Sequence, residues 1–297
     1  MTKAGFVSIL GKPNVGKSTL LNRLVGVKLA AVSSKPQTTR QVIRGITNDP
    51  RGQLVFLDTP GLHKPKDFLG RFMVREATKT FFDADLFYWL VEPGPPSDSD
   101  VEIFEHFRME TAGDKNLKPV FCLINKIDSV AKPEILPVID QYQKVFAFRE
   151  MIPISALRGD QVDVLLEKTF DCLPAHEPYF PPDMPSDQTE RFISTELIRE
   201  KIFRFTGQEV PYATAVQIEE FREEESITRI RAVVFVEKDS QKGILIGAKG
   251  QKMKQIGQAA REDLELFLGK KVFLELWVKV LANWKKDERH LRHLGFQ

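Results

Sequence analysis

The sequence predicts an α/β protein: a domain with a mixed, mostly parallel sheet flanked by helices, followed by a smaller α+β domain. Three observations carry this. Over residues 1–173, short apolar runs alternate with longer amphipathic stretches, the pattern of parallel strands joined by crossover helices. Pro174, Pro178, Pro181, Pro182 and Pro185 then crowd one short stretch. So many prolines cannot sit inside a helix or a central strand, so residues 174–189 read as a linker. Residues 190–297 follow a different order: helix, two strands, two helices and a strand.

In the first part, residues 6–10, 54–57, 86–91, 120–124 and 151–154 are apolar runs of strand length. Residues 66–82, 98–109, 133–148 and 161–173 have helical periodicity. Residues 40–48 alternate and meet the strand at 54 through Asp49-Pro50-Arg51-Gly52, a turn sequence. That predicts a hairpin and one antiparallel strand at the sheet edge. In the second part, residues 190–205 and 251–268 are helical, and residues 285–294 form a short helix. Residues 213–219, 227–237 and 272–280 are strand-like.

A chain of 297 residues suits two domains, and 42% apolar with 28% charged residues is ordinary for a soluble globular protein. The net charge of +2 is unevenly spread. Residues 241–297 hold 12 Lys/Arg against 6 Asp/Glu, so this end is +6 and the preceding 240 residues carry −4. A basic end points to an anionic partner, nucleic acid or acidic lipid, unless it is merely a solvated lysine surface. Cys122 and Cys172 have no metal or redox spacing and are expected as buried free thiols in a reducing cytoplasm. The N-terminal residues lack the basic and apolar regions of a signal peptide, and no run approaches a membrane span of about 20 residues.

Gly11-Lys12-Pro13-Asn14-Val15-Gly16-Lys17-Ser18 fits the phosphate-binding loop, with Thr19 next, between the first strand and a helix that starts at Lys17. A triphosphate needs a concave ring of backbone N–H groups, and glycines allow that curvature; the helix adds its positive end. Lys17 would bridge the outer phosphates and Ser18 would bind Mg²⁺. Asp58-Thr59-Pro60-Gly61 follows a strand, so Asp58 can hold Mg²⁺ through water and Gly61 can turn its N–H to the γ-phosphate. Asn125-Lys126-Ile127-Asp128 selects the base. The Asp128 carboxylate accepts from guanine N1–H and the exocyclic amine, a pair of donors that adenine lacks. Asn125 can tie the phosphate loop, Lys126 can lie on the ring, and Ser155-Ala156-Leu157 offers N–H groups to the guanine carbonyl.

These elements resemble the translation-factor class of GTPases and, within it, the Era family, over essentially the whole chain. The resemblance implies that Lys35-Pro36-Gln37-Thr38-Thr39-Arg40 is the first switch, whose threonine reaches Mg²⁺ only beside a γ-phosphate. Thr39 is preferred to Thr38. Residues 61–71 would be the second switch. Leu62 stands where many GTPases have a water-orienting glutamine, and leucine cannot hydrogen-bond. In relatives with this replacement, the asparagine at the place of Asn14 helps hold K⁺ against the phosphates. The expected catalytic set is therefore Lys17, Thr39, Gly61 and Asn14, with slow, K⁺-assisted turnover.

Residues 244–257 resemble the core of a type II KH domain. Gly247-Ala248-Lys249-Gly250 would join two helices and clamp a single-stranded backbone. The expected RNA contacts are Ile246, Gly247, Lys249, Gly250, Lys252 and Lys254, and Ile244, Met253 and Ile256 divide between an apolar groove and the core. Phe273, Leu276 and Trp277 are expected as sheet core, with base stacking as the alternative role. The family resemblance implies binding near the 3′ end of small-subunit rRNA and a role in assembling that subunit. A cytoplasmic monomer is expected, and the basic C-terminus offers peripheral contact with the inner membrane surface as a further partner. A P-loop ATPase is disfavoured by Asn125–Asp128, and an RNA-binding module with a decayed GTP site by the intact Lys17, Ser18, Asp58 and Asp128.

Overall fold

The computed structural model describes residues 2–65, 67–111, 118–207 and 209–296. The chain divides into two compact units. The first comprises residues 1–27, 39–64 and 73–187; the second comprises 28–38, 65–72 and 188–297.

The first unit is built on a six-stranded sheet. In chain order its strands are β1 (Lys3–Gly11), β2 (Ile43–Asp49), β3 (Gly52–Asp58), β4 (Leu86–Val91), β5 (Val120–Ile124) and β6 (Glu150–Pro153), arranged β2-β3-β1-β4-β5-β6. Only β2 runs antiparallel, paired with β3 through the predicted hairpin. Gly52 has φ 149°, and a Cβ there would collide with the backbone of Lys3. The helices are α1 (Lys17–Val25), α2 (Phe68–Asp83), α3 (Asp98–Thr111), α4 (Ile135–Tyr142) and α5 (Val162–Cys172). Lys66, where a helix was expected to begin, lies outside the described residues. Strand β4 reads Leu-Phe-Tyr-Trp-Leu-Val with every residue buried, as a strand covered on both faces requires. Trp89 stacks on Phe104 of α3 at 4.1 Å between ring centres.

The helix expected over 133–148 is shorter, ending at Tyr142. Phe146 and Phe148 instead turn back against Phe104, with ring centres 5.7 and 5.4 Å away. Burying two aromatic rings outweighs another turn of helix. Cys122 is buried and Cys172 only half-buried, so the expectation of two buried thiols holds for one of them.

The proline-rich segment is strapped along the edge of this sheet. Pro185 O accepts the Ile46 N–H at 2.8 Å and Pro182 O accepts from Asn48 Nδ2 at 2.8 Å. Buried Gln53 accepts the N–H groups of Tyr179 and Phe180 at 2.8 and 3.0 Å and donates to Phe180 O at 2.8 Å.

The second unit contains α6 (Glu190–Phe205), α7 (Asp239–Ile246), α8 (Gln251–Leu268) and α9 (Glu288–His293), with strands β7 (Ala215–Glu223), β8 (Ile227–Val236) and β9 (Lys271–Val280) in the order β7-β8-β9. β7 is antiparallel and β9 parallel to β8. The order α6-β7-β8-α7-α8-β9 is the one expected. Thr189 caps α6, its hydroxyl accepting the Phe192 N–H at 3.2 Å. Glycines in left-handed conformation bound α8 at both ends, Gly250 and Gly269. An ionic cluster ties segment 28–38 of this unit to α6 and α8. Lys28 Nζ lies 2.7 Å from both Glu200 and Asp263, buried Lys201 pairs with the same two carboxylates, and Glu200 accepts the Val32 N–H at 3.0 Å.

Candidate functional site

The phosphate loop connects β1 to α1 through residues that few side chains tolerate. Gly11, Asn14 and Gly16 have φ of 139°, 69° and 103°. A Cβ on Gly11 would meet Leu90 O at 2.5 Å, and one on Gly16 would run into Asn125 Nδ2. Successive backbones of this shape turn N–H groups into one concavity, a nest for an anion. Lys17 is buried beneath it, donating to Gly11 O at 3.1 Å and Lys12 O at 2.8 Å. Burial pushes its ammonium down to about 8, with the Asp58 charge opposing. A buried cation held only by carbonyls is poised for a stronger anionic partner.

Three oxygen donors converge next to Lys17. Ser18 Oγ donates to Asp58 Oδ2 at 2.6 Å and lies 2.8 Å from Thr39 Oγ1, which is 3.4 Å from the same carboxylate oxygen. Thr38 faces elsewhere, donating to Lys35 O at 2.7 Å. Hard oxygen donors in this number leave room for phosphate oxygens and water, which fits Mg²⁺. Among the described residues no group of three His, Cys, Asp or Glu could hold a metal, so one carboxylate and two hydroxyls are what this site offers.

Gly61 lies directly against the phosphate loop: a Cβ would come within 2.8 Å of the Pro13 backbone. Its neighbour Leu62 donates its N–H to Gly11 O at 3.2 Å. The Leu62 side chain is only 3% exposed and packs into the aromatic core around Phe81, Phe87 and Trp89. It presents no polar atom to the loop.

The base-binding elements are cross-linked by Asn125, which is 2% exposed. Its Nδ2 donates to Val15 O at 2.7 Å and its Oδ1 accepts the Ala156 N–H at 2.9 Å. One amide thus joins the phosphate loop to the loop after β6. Asp128 accepts from Ser155 Oγ at 2.6 Å, which holds the carboxyl below the usual range with help from Arg158 and Lys126. The carboxylate is therefore ionised and held in place, able to accept from a pair of N–H donors. Lys126, at φ 66°, pairs with Glu92, and Arg23 Nε donates to Ala156 O at 3.3 Å. Leu157 projects outward. Thr19 lies in the first turn of α1.

Sequence reasoning missed two supports. Lys12 reaches out of the loop to buried Asp100 at 2.8 Å and Ser97 at 3.0 Å, anchoring the loop to α3. Glu92 and Arg23 hold the loops of Lys126 and Ala156, where base recognition is expected. Lys12 lies within the phosphate-loop motif, but its partners Asp100 and Ser97, like Glu92 and Arg23, belong to none, so only the fold reveals these contacts.

In the second unit, α7 and α8 meet at Gly247–Gly250, where Gly247, Lys249 and Gly250 have φ of 72°, 50° and 76°. A Cβ on Gly247 would press on Lys252 Cβ at 2.7 Å. Lys249 and Lys254 are exposed and Lys252 half-buried, so all three ammonium groups can reach solvent at the loop. Beside it opens a groove of about 740 Å³, with Ile246, Met253 and Lys254 on one wall and Leu274, Leu276 and Val278 on the other. Ile244 is exposed and Ile256 fully buried, which divides the apolar candidates. Arg261 also lines the groove; its spacing of seven from Lys254 along one helix face is the signal that would have found it. The expectation for Phe273 and Trp277 fails: both are half-exposed. Alternation along β9 turns them away from the helices, while half-buried Leu276 faces α8.

A glycine-shaped loop between β1 and α1, with Asp58 and Asn125-Lys126-Ile127-Asp128 beside it at the C-terminal edge of a mostly parallel sheet, in one chain with a Gly-x-x-Gly groove, is the arrangement of a P-loop GTPase carrying a KH module. Residues 6–126 match the family described as "50S ribosome-binding GTPase", and residues 209–285 match the KH domain. GTPase Era of Geobacter metallireducens is 48% identical over 99% of this chain and 98% of its own length, and that of Syntrophus aciditrophicus 46% identical over 100% and 96%. Two crystal structures superpose with TM-scores of 0.94 at 40% identity. One is Era in complex with MgGDPNP and nucleotides 1506–1542 of 16S ribosomal RNA, covering 100% of this chain and 99% of that one. The other is a variant of Aquifex aeolicus Era bound to GDP·AlF4⁻, with 99% of each covered. The chain belongs to the Era family of GTPases, and its reaction is hydrolysis of GTP.

Proposed function

We propose that this GTPase binds the single-stranded 3′ end of small-subunit rRNA in the groove beside Gly247–Gly250 and assists maturation of that subunit. The observation that carries the reading is the open groove itself, walled by β9 and α8 and entered past the lysines of the Gly-x-x-Gly turn, in a chain whose guanine site is intact. The complex of a relative with nucleotides 1506–1542 of 16S ribosomal RNA supports it. In this reading Gly247 and Gly250 let phosphates approach, Lys249, Lys252 and Lys254 neutralise them, and Ile246 meets a base. Gly250→Asp should spare GTP binding and reduce affinity for a 3′-end oligoribonucleotide at least about tenfold. Unchanged RNA affinity would reject the groove.

In the GTPase reaction, we assign backbone N–H groups of Gly11–Thr19 and the Lys17 ammonium to the phosphates. Asn125, Lys126, Asp128 and the Ser155–Leu157 loop hold guanine. Ser18, Asp58 and Thr39 are the oxygens that would hold Mg²⁺, which supplies charge neutralisation on the β- and γ-phosphates when bound. Asn14 and Gly61 complete the γ-phosphate end. Because Leu62 is packed into the core, the attacking water must be placed by another group. K⁺ held beside Asn14 meets that need, and faster hydrolysis in K⁺ than in Na⁺ buffer tests it; equal rates reject it.

The functional division follows as a nucleotide-binding part at residues 1–173, the proline-rich segment 174–189, and an RNA-binding part at 190–297, acting as a cytoplasmic monomer. No helix among the described residues is long and apolar enough to cross a membrane. Peripheral contact with an acidic membrane rests on the basic C-terminal stretch, and vesicle flotation tests it.

A further inference from the structure

Strand β9 has two faces. A Cβ on Gly257 of α8 would lie 3.6 Å from Leu276 Cδ1, so Leu276, and with it Leu274 and Val278, turns toward the helices and the groove. Phe273, Glu275 and Trp277 therefore stand on the opposite face. There Phe273 is 51% and Trp277 54% exposed. The register with β8 puts Arg229 beside Phe273 and Arg231 beside Glu275. The Arg229 guanidinium lies 5.4 Å from the Phe273 ring centre, and Arg231 pairs with Glu275 at 2.9 Å and Glu220 at 3.2 Å. Each ring therefore offers water a flat apolar surface on which a base can stack.

We propose that Phe273 and Trp277 form a base-stacking platform that carries single-stranded RNA out of the groove, across the edge of β9, and onto the outer face of the sheet. The proposal rests on the reading of the groove as the RNA site. Continuity identifies the occupant: the strand that walls the groove also presents both rings, and both residues border the groove. Four residues along a strand span about 13 Å, so the two rings hold separate bases rather than neighbours in one stack. Arg229 and Arg231, the arginines nearest the rings, are already paired with glutamates, so recognition is through ring faces, which every base can satisfy, rather than through phosphate charge.

The test uses the full chain and two oligoribonucleotides from the small-subunit rRNA 3′ end, a four-mer that fills only the groove and a ten-mer that extends past it. Trp89 and Trp284 are 1% and 0% exposed, so quenching of tryptophan fluorescence reports on Trp277. The ten-mer should quench strongly and the four-mer only weakly, since Trp277 sits at the border of the groove that the four-mer fills. Trp277→Ala and Phe273→Ala should each weaken the ten-mer about tenfold, weaken the four-mer in competition by less than about threefold because both rings only border its groove, and leave the salt dependence unchanged. Trp277→Phe, which keeps a ring, should stay within about threefold of the parent. Unchanged ten-mer affinity in Trp277→Ala, or equal weakening of both oligonucleotides, would overturn the platform; absence of quenching would do so too and leave the face to a protein partner. Gly250→Asp separates the two claims. Loss of both oligonucleotides there supports the groove whatever the alanine variants show, and loss of neither rejects the groove.

Discussion

Replacing Asn125 with alanine tests whether the guanine and phosphate loops are held as one body. The side chain contributes two hydrogen bonds, 2.7 Å to Val15 O and 2.9 Å from the Ala156 N–H, in a place with almost no solvent access. Each buried bond is worth about 1 kcal/mol net, and leaving its partner unsatisfied costs about 1–3 kcal/mol. Alanine strands both partners at once, so a loss of about 2–4 kcal/mol is expected, roughly 30- to 900-fold in nucleotide affinity. The Cβ of Gly16 would have occupied the Asn125 amide position, so no neighbouring side chain stands ready to fill the gap. Neither loop contacts only the γ-phosphate, so GDP and GTP should lose affinity by the same factor. Asn125→Asp is the sharper variant, because it sets a carboxylate oxygen against Val15 O where a donor stood, and it should bind more weakly than alanine. Equilibrium titration with a fluorescent GDP analogue, and again with a non-hydrolysable GTP analogue, measures both. Affinity within about threefold of the parent for either variant would refute the coupling of the two loops through this amide.

Leu62→Gln restores a polar group at the position but buries it in an aromatic core, so it should destabilise the fold by about 2–4 kcal/mol without raising hydrolysis; a faster enzyme of unchanged melting temperature would contradict the packing. Without nucleotide, Lys17 titrates near 8 against 10.5 unfolded, so the folded chain binds fewer protons between these values and its stability rises with pH across that window. Phosphates should raise the Lys17 value, so GDP binding at pH 8 should take up about half a proton. Calorimetry in buffers of different ionisation enthalpy reads that uptake, and Lys17→Met should abolish whatever binding remains coupled to it. Asp263→Ala leaves buried Lys201 with one carboxylate fewer and should cost about 3 kcal/mol in denaturant unfolding. Burial raises the Asp263 carboxyl, but hydrogen bonds from Lys201 and Lys28 outweigh it and set it below 3.8. Its contribution is complete above 3.8 and disappears as pH falls through that lower value.

What could be read before folding was whatever is contiguous along the chain. Strands 86–91 and 120–124 were legible to the residue, because unbroken apolar runs between turn residues admit one reading when both faces are covered. Helix 251–268 was equally clear, punctuated by glycine at each end. The phosphate loop, Asp58–Gly61 and Asn125–Asp128 are short contiguous motifs, so their residue types alone suggested the chemistry. Contacts between distant residues were not legible. Nothing local to Phe146 or Phe148 says that their rings prefer the Phe104 cluster to another helical turn. Nothing local to Lys12 names Asp100 as its partner. Trp277 and Phe273 alternate like core residues, and only the side on which α8 packs shows that they face outward.

The strap of residues 174–187 has a consequence for how molecules of this protein meet one another. Strand β2 is the lateral margin of the six-stranded sheet, and a bare margin offers a ladder of unpaired amide groups on which a strand from another molecule can assemble. Here Pro185 O already takes the Ile46 amide and Pro182 O takes the Asn48 side chain, while proline offers no N–H of its own to continue the ladder. The segment thus terminates the sheet. A fragment cut after Leu173 would keep every nucleotide-binding residue and still expose that margin. It should clump at concentrations where a fragment ending at Asp187 stays dispersed.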